Sequence, residues 1–234
     1  MIIKAMIKNT ENCKKIIVSY ASKGRADYNI GQQKLYESIL EHWDGDYWLH
    51  SKERDGILPD PLLFKHREHN DVPYFFKFTM IQLAKEKGYT EIYWLDSSLR
   101  LRKDITGIAS PIMAFHNLGH EMSKYITDEA VANLNCNTYL ADIKQIHGSA
   151  VGFDFTQPIT LVIYNKILEQ AQMGSFNEGT STRKEFIAHR HDQSVMSVIF
   201  HQHKIYLLPY GNIVINIHSL PPYEYGQDFY ITYA

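Results

Sequence analysis

The chain has 234 residues, 44% of them apolar and 21% charged, with a formal net charge of -2. That length and apolar share support one sizeable core, so the expectation is one domain over 1–234 and no disordered chain. A near-neutral balance argues against a nucleic acid partner, since duplex-binding domains carry a basic surplus.

Lys4 and Lys8 interrupt the apolar residues at the start, so no secretory h-region forms. No run of 18 apolar residues occurs, which predicts no membrane helix. Cys13 and Cys136 form no CxxC pattern, and the expected setting is reducing and cytoplasmic. Neither thiol reads as a nucleophile.

Residues 16–20, IIVSY, are apolar and β-branched and predict a strand, followed by the loop ASKGRADYN. Ile30, Leu35, Ile39, Leu40 and Trp43 recur at helical spacing over 30–42, and DYWLH at 46–50 reads as a second strand. Residues 52–71 are polar and read as a surface excursion. A helix over 74–87 follows, entered through Pro73, closed by Gly88, and apolar at Phe76, Met80, Leu83 and Ala84. EIYWL at 91–95 predicts a central strand that stops at Asp96. Two successive strand–helix–strand segments make an α/β fold with a mixed, mostly parallel sheet flanked by helices the expected architecture.

Further on, 110–134 predicts a strand or apolar loop and one helix, and 140–155 a strand with a turn around Gly148 and Gly152. Helices are expected after Pro158 and across HRHDQSVMSVIF, where Val195, Met196, Ile199 and Phe200 share a face. The tail suggests strands.

Asp96 ends an apolar strand, which places a carboxylate at the carboxyl edge of the sheet, where ligand crevices form. Ser98 stands two residues on and shares that cleft if the chain stays extended. Arg100 and Arg102 are planar donors for phosphate or carboxylate. Asp96 reads equally as the start of a turn or a helix cap. Asp192 opens an amphipathic run beside His191, which suits a general base or, alternatively, a helix cap. Gly152, Phe153 and Asp154 are a weaker sugar-contact candidate, with an ordinary tight turn as the alternative.

EIYWLDSSLRLRKDI resembles the strand and D-x-D region of GT-A type nucleotide-sugar-dependent glycosyltransferases, with Ser98 where the second acid would stand. The resemblance implies a Rossmann-like GT-A domain. It implies transfer of a sugar from a nucleoside diphosphate sugar to a carbohydrate or other hydroxyl-bearing acceptor. It assigns Asp96, Ser98 and His218 to a divalent Mn²⁺ or Mg²⁺ ion. Tyr20, Ser22, Lys23, Arg25, Asp96, Ser98 and Arg100 are assigned to the nucleotide sugar, and Asp192 with His191 to the acceptor side. A nucleotidyltransferase, or a noncatalytic carbohydrate- or nucleotide-binding protein of the same fold, is the alternative. The twelve histidines show neither HExxH nor another zinc spacing.

Overall fold

A computed structural model describes residues 6–21, 26–55, 72–209, 213–214 and 231–233. Strand β1 (Met6–Lys8) leads into β2 (Lys15–Ala21), the apolar run read from the sequence. Helix α1 (Ala26–His42) crosses to β3 (Asp46–Ser51), which pairs parallel to β2 and closes a βαβ unit. A single turn, α2 (Lys52–Asp55), follows β3. Helix α3 (Phe76–Glu86) then leads to β4 (Glu91–Leu95), parallel to β2 on its other side. Short strands β5 (Leu99–Leu101) and β6 (Ile112–Met113) precede β7 (His116–Glu121). Helix α4 (Asp128–Leu134) separates this from the strands β8 (Lys144–Ile146) and β9 (Ala150–Asp154). Helices α5 (Pro158–Gln172) and α6 (His191–Gln202) follow, then β10 (Ile213–Val214) and β11 (Ile231–Tyr233).

The central sheet runs β1-β3-β2-β4-β9-β6. Its inner strands β3, β2 and β4 are parallel, while β1, β9 and β6 pair antiparallel to their neighbours. This is the mixed α/β architecture expected, with helices on both faces. Strand alternation sorts the core. Ile16, Val18, Tyr20, Ile92 and Trp94 pack with residues of α3, α5 and α6, while Ile17, Leu49, Tyr93 and Leu95 pack with residues of α1. Chain order reverses between β2 and β4, so their carboxyl ends flank a crevice.

Two apolar residues of α1 depart from the expected stripe. Leu35, Ile39 and Trp43 are buried, but Ile30 and Leu40 are 58% and 59% exposed. Leu40 follows Ile39 by one residue, about 100° around the helix, and Ile30 is similarly out of phase with Leu35. Gly152 also differs from its expected turn. It lies inside β9 opposite Tyr93 and Met113, and a Cβ there would stand 2.8 Å from the Tyr93 ring. The glycine serves close packing within the sheet.

Candidate functional site

Helix α3 carries Lys77 in its first turn, in phase with the buried Ile81 and Ala84. The side chain is therefore drawn inward and is only 3% exposed. Its ammonium donates to Asp192 Oδ2 at 2.8 Å and to the carbonyl of Gly148 at 2.7 Å. Asp96 Oδ1 lies 3.8 Å away. The rings of Tyr74 and Trp94 stand 5.2 and 5.8 Å from the same nitrogen. One buried cation thus joins α3, the end of β4, the β8–β9 turn and α6.

Asp96 sits where β4 ends. Its backbone N–H donates to Ser149, and its carbonyl accepts from Leu99 to close a turn over 96–99. Its Oδ1 accepts from the Trp94 indole at 2.7 Å. The side chain remains 35% exposed. Ser98 falls inside the turn, so the extended chain required for it to face the cleft beside Asp96 is absent. The turn packs against α1, where a Cβ on Gly31 would lie 2.8 Å from the Ser97 carbonyl.

Asp192 is in the first turn of α6, two positions beyond the N-cap residue Arg190, so it is not the cap. Its carboxylate in that first turn is favourably placed toward the helix dipole. It is 2% exposed and committed to Lys77, which leaves it no open approach to a bulky acceptor. His191 Nδ1 donates to the Phe176 carbonyl at 2.9 Å, and Nε2 faces Glu178 at 3.3 Å. Both ring nitrogens are therefore turned toward the 176–178 loop.

Burial penalises the Lys77 ammonium, but the charges of Asp192 and Asp96 outweigh that penalty and hold its pKa above the ordinary lysine value. Burial pushes Asp96 and Asp192 upward, and Lys77 offsets part of the rise. His147, hydrogen-bonded through Nδ1 to Ser149 at 2.7 Å, is pulled down to about 4 by burial, with Lys77 and His120 acting in the same direction. It is neutral at pH 7.

These groups line a cleft of about 420 Å³ that also presents Tyr74, Asn117, Arg190 and Gln193. The exposed Arg190 guanidinium lies 5.2 Å from the Tyr125 ring and brings a second cation to the cleft. Two of its residues, Tyr74 and His191, have φ of 62° and 47°, and their rings are 5.2 Å apart. Left-handed backbone costs a non-glycine residue about 1 kcal/mol or more, and such strain concentrates at ligand sites.

Of the residues expected at the site, Asp96, His191 and Asp192 come together here. Tyr20 does not: its ring is 4% exposed and packs on Phe76 at 5.4 Å, so neither face is open to a base. Arg100 lies on β5 in register with Thr232 of β11, and its buried Nε has no hydrogen-bond partner among the described residues. Ser22, Lys23, Arg25 and His218 lie outside the described residues. Phe153 is core, and Asp154 accepts from Thr156 at the opposite end of β4 because β9 runs antiparallel. Lys77 was missed by sequence reasoning, although its phase with Ile81 and Ala84 was the available signal.

Of the expected metal set, His218 lies outside the described residues, and the two members that are described, Asp96 and Ser98, do not turn toward a common point. Asp96 has one oxygen on Trp94 and the Lys77 ammonium close by, while Ser98 is carried into the turn. No three His, Cys, Asp or Glu side chains among those residues converge as a metal-binding group. The cysteines are free thiols, and burial raises Cys136 to about 11. No helix among the described residues is long and apolar enough to cross a membrane.

The fold is GT-A-like. Over 97% of its length the chain is similar to the apo structure of WbbM, a bifunctional glycosyltransferase, with a TM-score of 0.54 and 14% identity. It spans 46% of that protein's chain. A glycosyltransferase involved in glycosylation of the major capsid of PBCV-1 gives a TM-score of 0.49 and 12% identity, covering 93% of this chain and 94% of that one. At 14% identity the likeness to WbbM is one of fold. No protein-family model matches the sequence, and no curated protein sequence does.

Proposed function

We propose that the protein is a glycosyltransferase that moves a sugar from a nucleoside diphosphate sugar to an acceptor hydroxyl in the Lys77–Asp96–Asp192 cleft. The observation that carries this reading is a partly exposed carboxylate and a buried cation side by side at the carboxyl end of β4. That edge, on a GT-A-like fold, is where a sheet of this topology binds its ligand.

Transfer breaks the bond between the sugar's anomeric carbon and the diphosphate oxygen, and the electron pair leaves with the diphosphate. A new bond forms from the acceptor oxygen to that carbon, and the hydroxyl proton must go to a base. Asp96 is the better base, because it is the accessible one of the two cleft carboxylates and burial already raises its proton affinity. Asp192 fixes Lys77 instead. Lys77 and Arg190 supply positive charge toward the leaving diphosphate, an effect strengthened where water is excluded. Neutral His147 and Ser149 offer hydrogen bonds to sugar hydroxyls.

Calorimetric titration with UDP and GDP, each with and without Mn²⁺, tests the reading. Binding of either nucleotide supports it, and failure of both under every condition overturns it. One observation favours a noncatalytic nucleotide-binding protein: Asp192 is tied to Lys77, leaving one accessible carboxylate at the cleft among the described residues. Nucleotide binding without release of nucleoside diphosphate from any nucleotide sugar would select that second reading.

A further inference from the structure

We infer that Lys77 is the resident cation of this cleft, standing between Asp96 and Asp192 in the place of a divalent ion that would bridge the two carboxylates, so that donor binding needs no added metal. The inference rests on the transferase reading for its ligand, but its charge argument is independent of it.

Two carboxylates on adjoining elements would together carry a charge of -2, the usual basis for holding a small divalent cation with phosphate and water completing its shell. Lys77 removes that basis. Its nitrogen is 2.8 Å from Asp192 and 3.8 Å from Asp96, and a third oxygen, the Gly148 carbonyl, lies at 2.7 Å. Carboxylate and carbonyl oxygens are the ligand type a hard cation takes, and here an ammonium lies among them. A divalent ion entering the same space would meet a fixed positive charge in a poorly solvated setting. The ammonium is not free to leave: its stem is buried on α3, the Asp192 side chain is 3% exposed, and Tyr74 and Trp94 rings flank the nitrogen.

The cation is also kept charged by geometry. Of its three N–H groups, two are satisfied at hydrogen-bond distance, by Asp192 and Gly148. Asp96, 3.8 Å away and 35% exposed, is the carboxylate of the pair that faces the cleft. Lys77 is therefore a positioning residue for Asp96 and a fixed charge toward the diphosphate.

Two measurements on the full chain test this. In the first, the electron paramagnetic resonance signal of free Mn²⁺ is followed on addition of wild type, K77A and K77A/D96N. Wild type should leave the signal unchanged at equimolar Mn²⁺. K77A should diminish it, because two unneutralised carboxylates remain, and K77A/D96N should lose that gain. In the second, UDP and GDP are titrated into wild type in EDTA and in Mn²⁺. The better-bound nucleotide should show affinities within about twofold of each other. Stoichiometric Mn²⁺ binding by wild type, or about tenfold tighter nucleotide binding with Mn²⁺, would overturn the inference while leaving the transferase reading intact. Failure of both nucleotides to bind overturns that reading, and the Mn²⁺ signal then decides the role of Lys77 alone. The wild-type titrations stand by themselves if K77A does not fold.

Discussion

Lys77 and Asp192 form an ion pair 2.8 Å long in which each side chain is only 3% exposed. The pair links α3 to α6 across the top of the sheet. Breaking one side of a buried pair strands the other charge, which costs about 3–5 kcal/mol. D192A should therefore lower unfolding free energy in urea by about 3 kcal/mol or more. The apolar double variant K77M/D192L should be less destabilised than the sum of its single variants. Additive losses would mean that the two groups are not coupled.

Two glycines, Gly148 lining the cleft and Gly152 within the sheet, separate stability from binding. A Cβ at Gly148 would stand 2.9 Å from the Gln193 Cβ, so G148A should push α6 from the turn and move the carbonyl that Lys77 holds. Overpacking of this kind costs about 1–3 kcal/mol. A Cβ at Gly152 would meet Tyr93, Met113 and Ala109 within the sheet. Both variants should melt lower, but only G148A should also weaken nucleotide binding when both are titrated in the folded range. Equal loss of binding in G152A would argue against the cleft.

His147 gives the pH dependence a defined direction. Its folded pKa of about 4 lies below the ordinary histidine value of 6.5, so the unfolded chain takes the proton first. The stability tied to neutral His147 is present above pH 6.5, is lost as pH falls toward 4, and changes no further below that. At pH 5 the loss is about 2 kcal/mol. Asp96 and Asp192, raised by burial, act with the opposite sign above the ordinary carboxylate value. Comparison with H147N removes their contribution. Denaturant melts at pH 7 and pH 5 should therefore show wild type losing more stability than H147N, and parallel losses would contradict the buried neutral imidazole.

Tyr74 joins backbone strain to an accessible ring, 44% exposed at the cleft. Glycine at this position relieves the left-handed strain, worth about 1 kcal/mol, against the loss of a half-exposed ring. Y74G should melt within a few degrees of wild type yet bind nucleotide less tightly by calorimetry. Unchanged affinity would remove Tyr74 from the ligand surface.

What the sequence disclosed follows from which signals are local. The apolar runs at 16–20 and 91–95 and the Gly88 boundary are local, and the elements formed there, whereas α3 starts at Phe76 rather than directly after Pro73 because Tyr74 is left-handed. Asp96 was visible because it interrupts a strand. Asp192 was visible as an acid beside a helix, but its burial was not, since the partner that draws it inward is 115 residues away. Lys77 carried the complementary signal, a lysine in phase with an apolar stripe, which reads as a solvated side chain unless a buried acid is known. Ser98 was misplaced for a related reason: the turn over 96–99 depends on Leu99 and on α1 packing, not on the spacing of two polar residues. Gly152 and Phe153 looked like a turn because their strand pairs with distant segments on both sides.

The most direct test of the account is release of nucleoside diphosphate from a panel of nucleotide sugars by wild type and D96N, in EDTA and in Mn²⁺. Wild type should release nucleoside diphosphate above the enzyme-free rate with at least one donor, and D96N should lose about 100-fold or more, the scale of a removed general base. No release from any donor, or an undiminished rate in D96N, would contradict it.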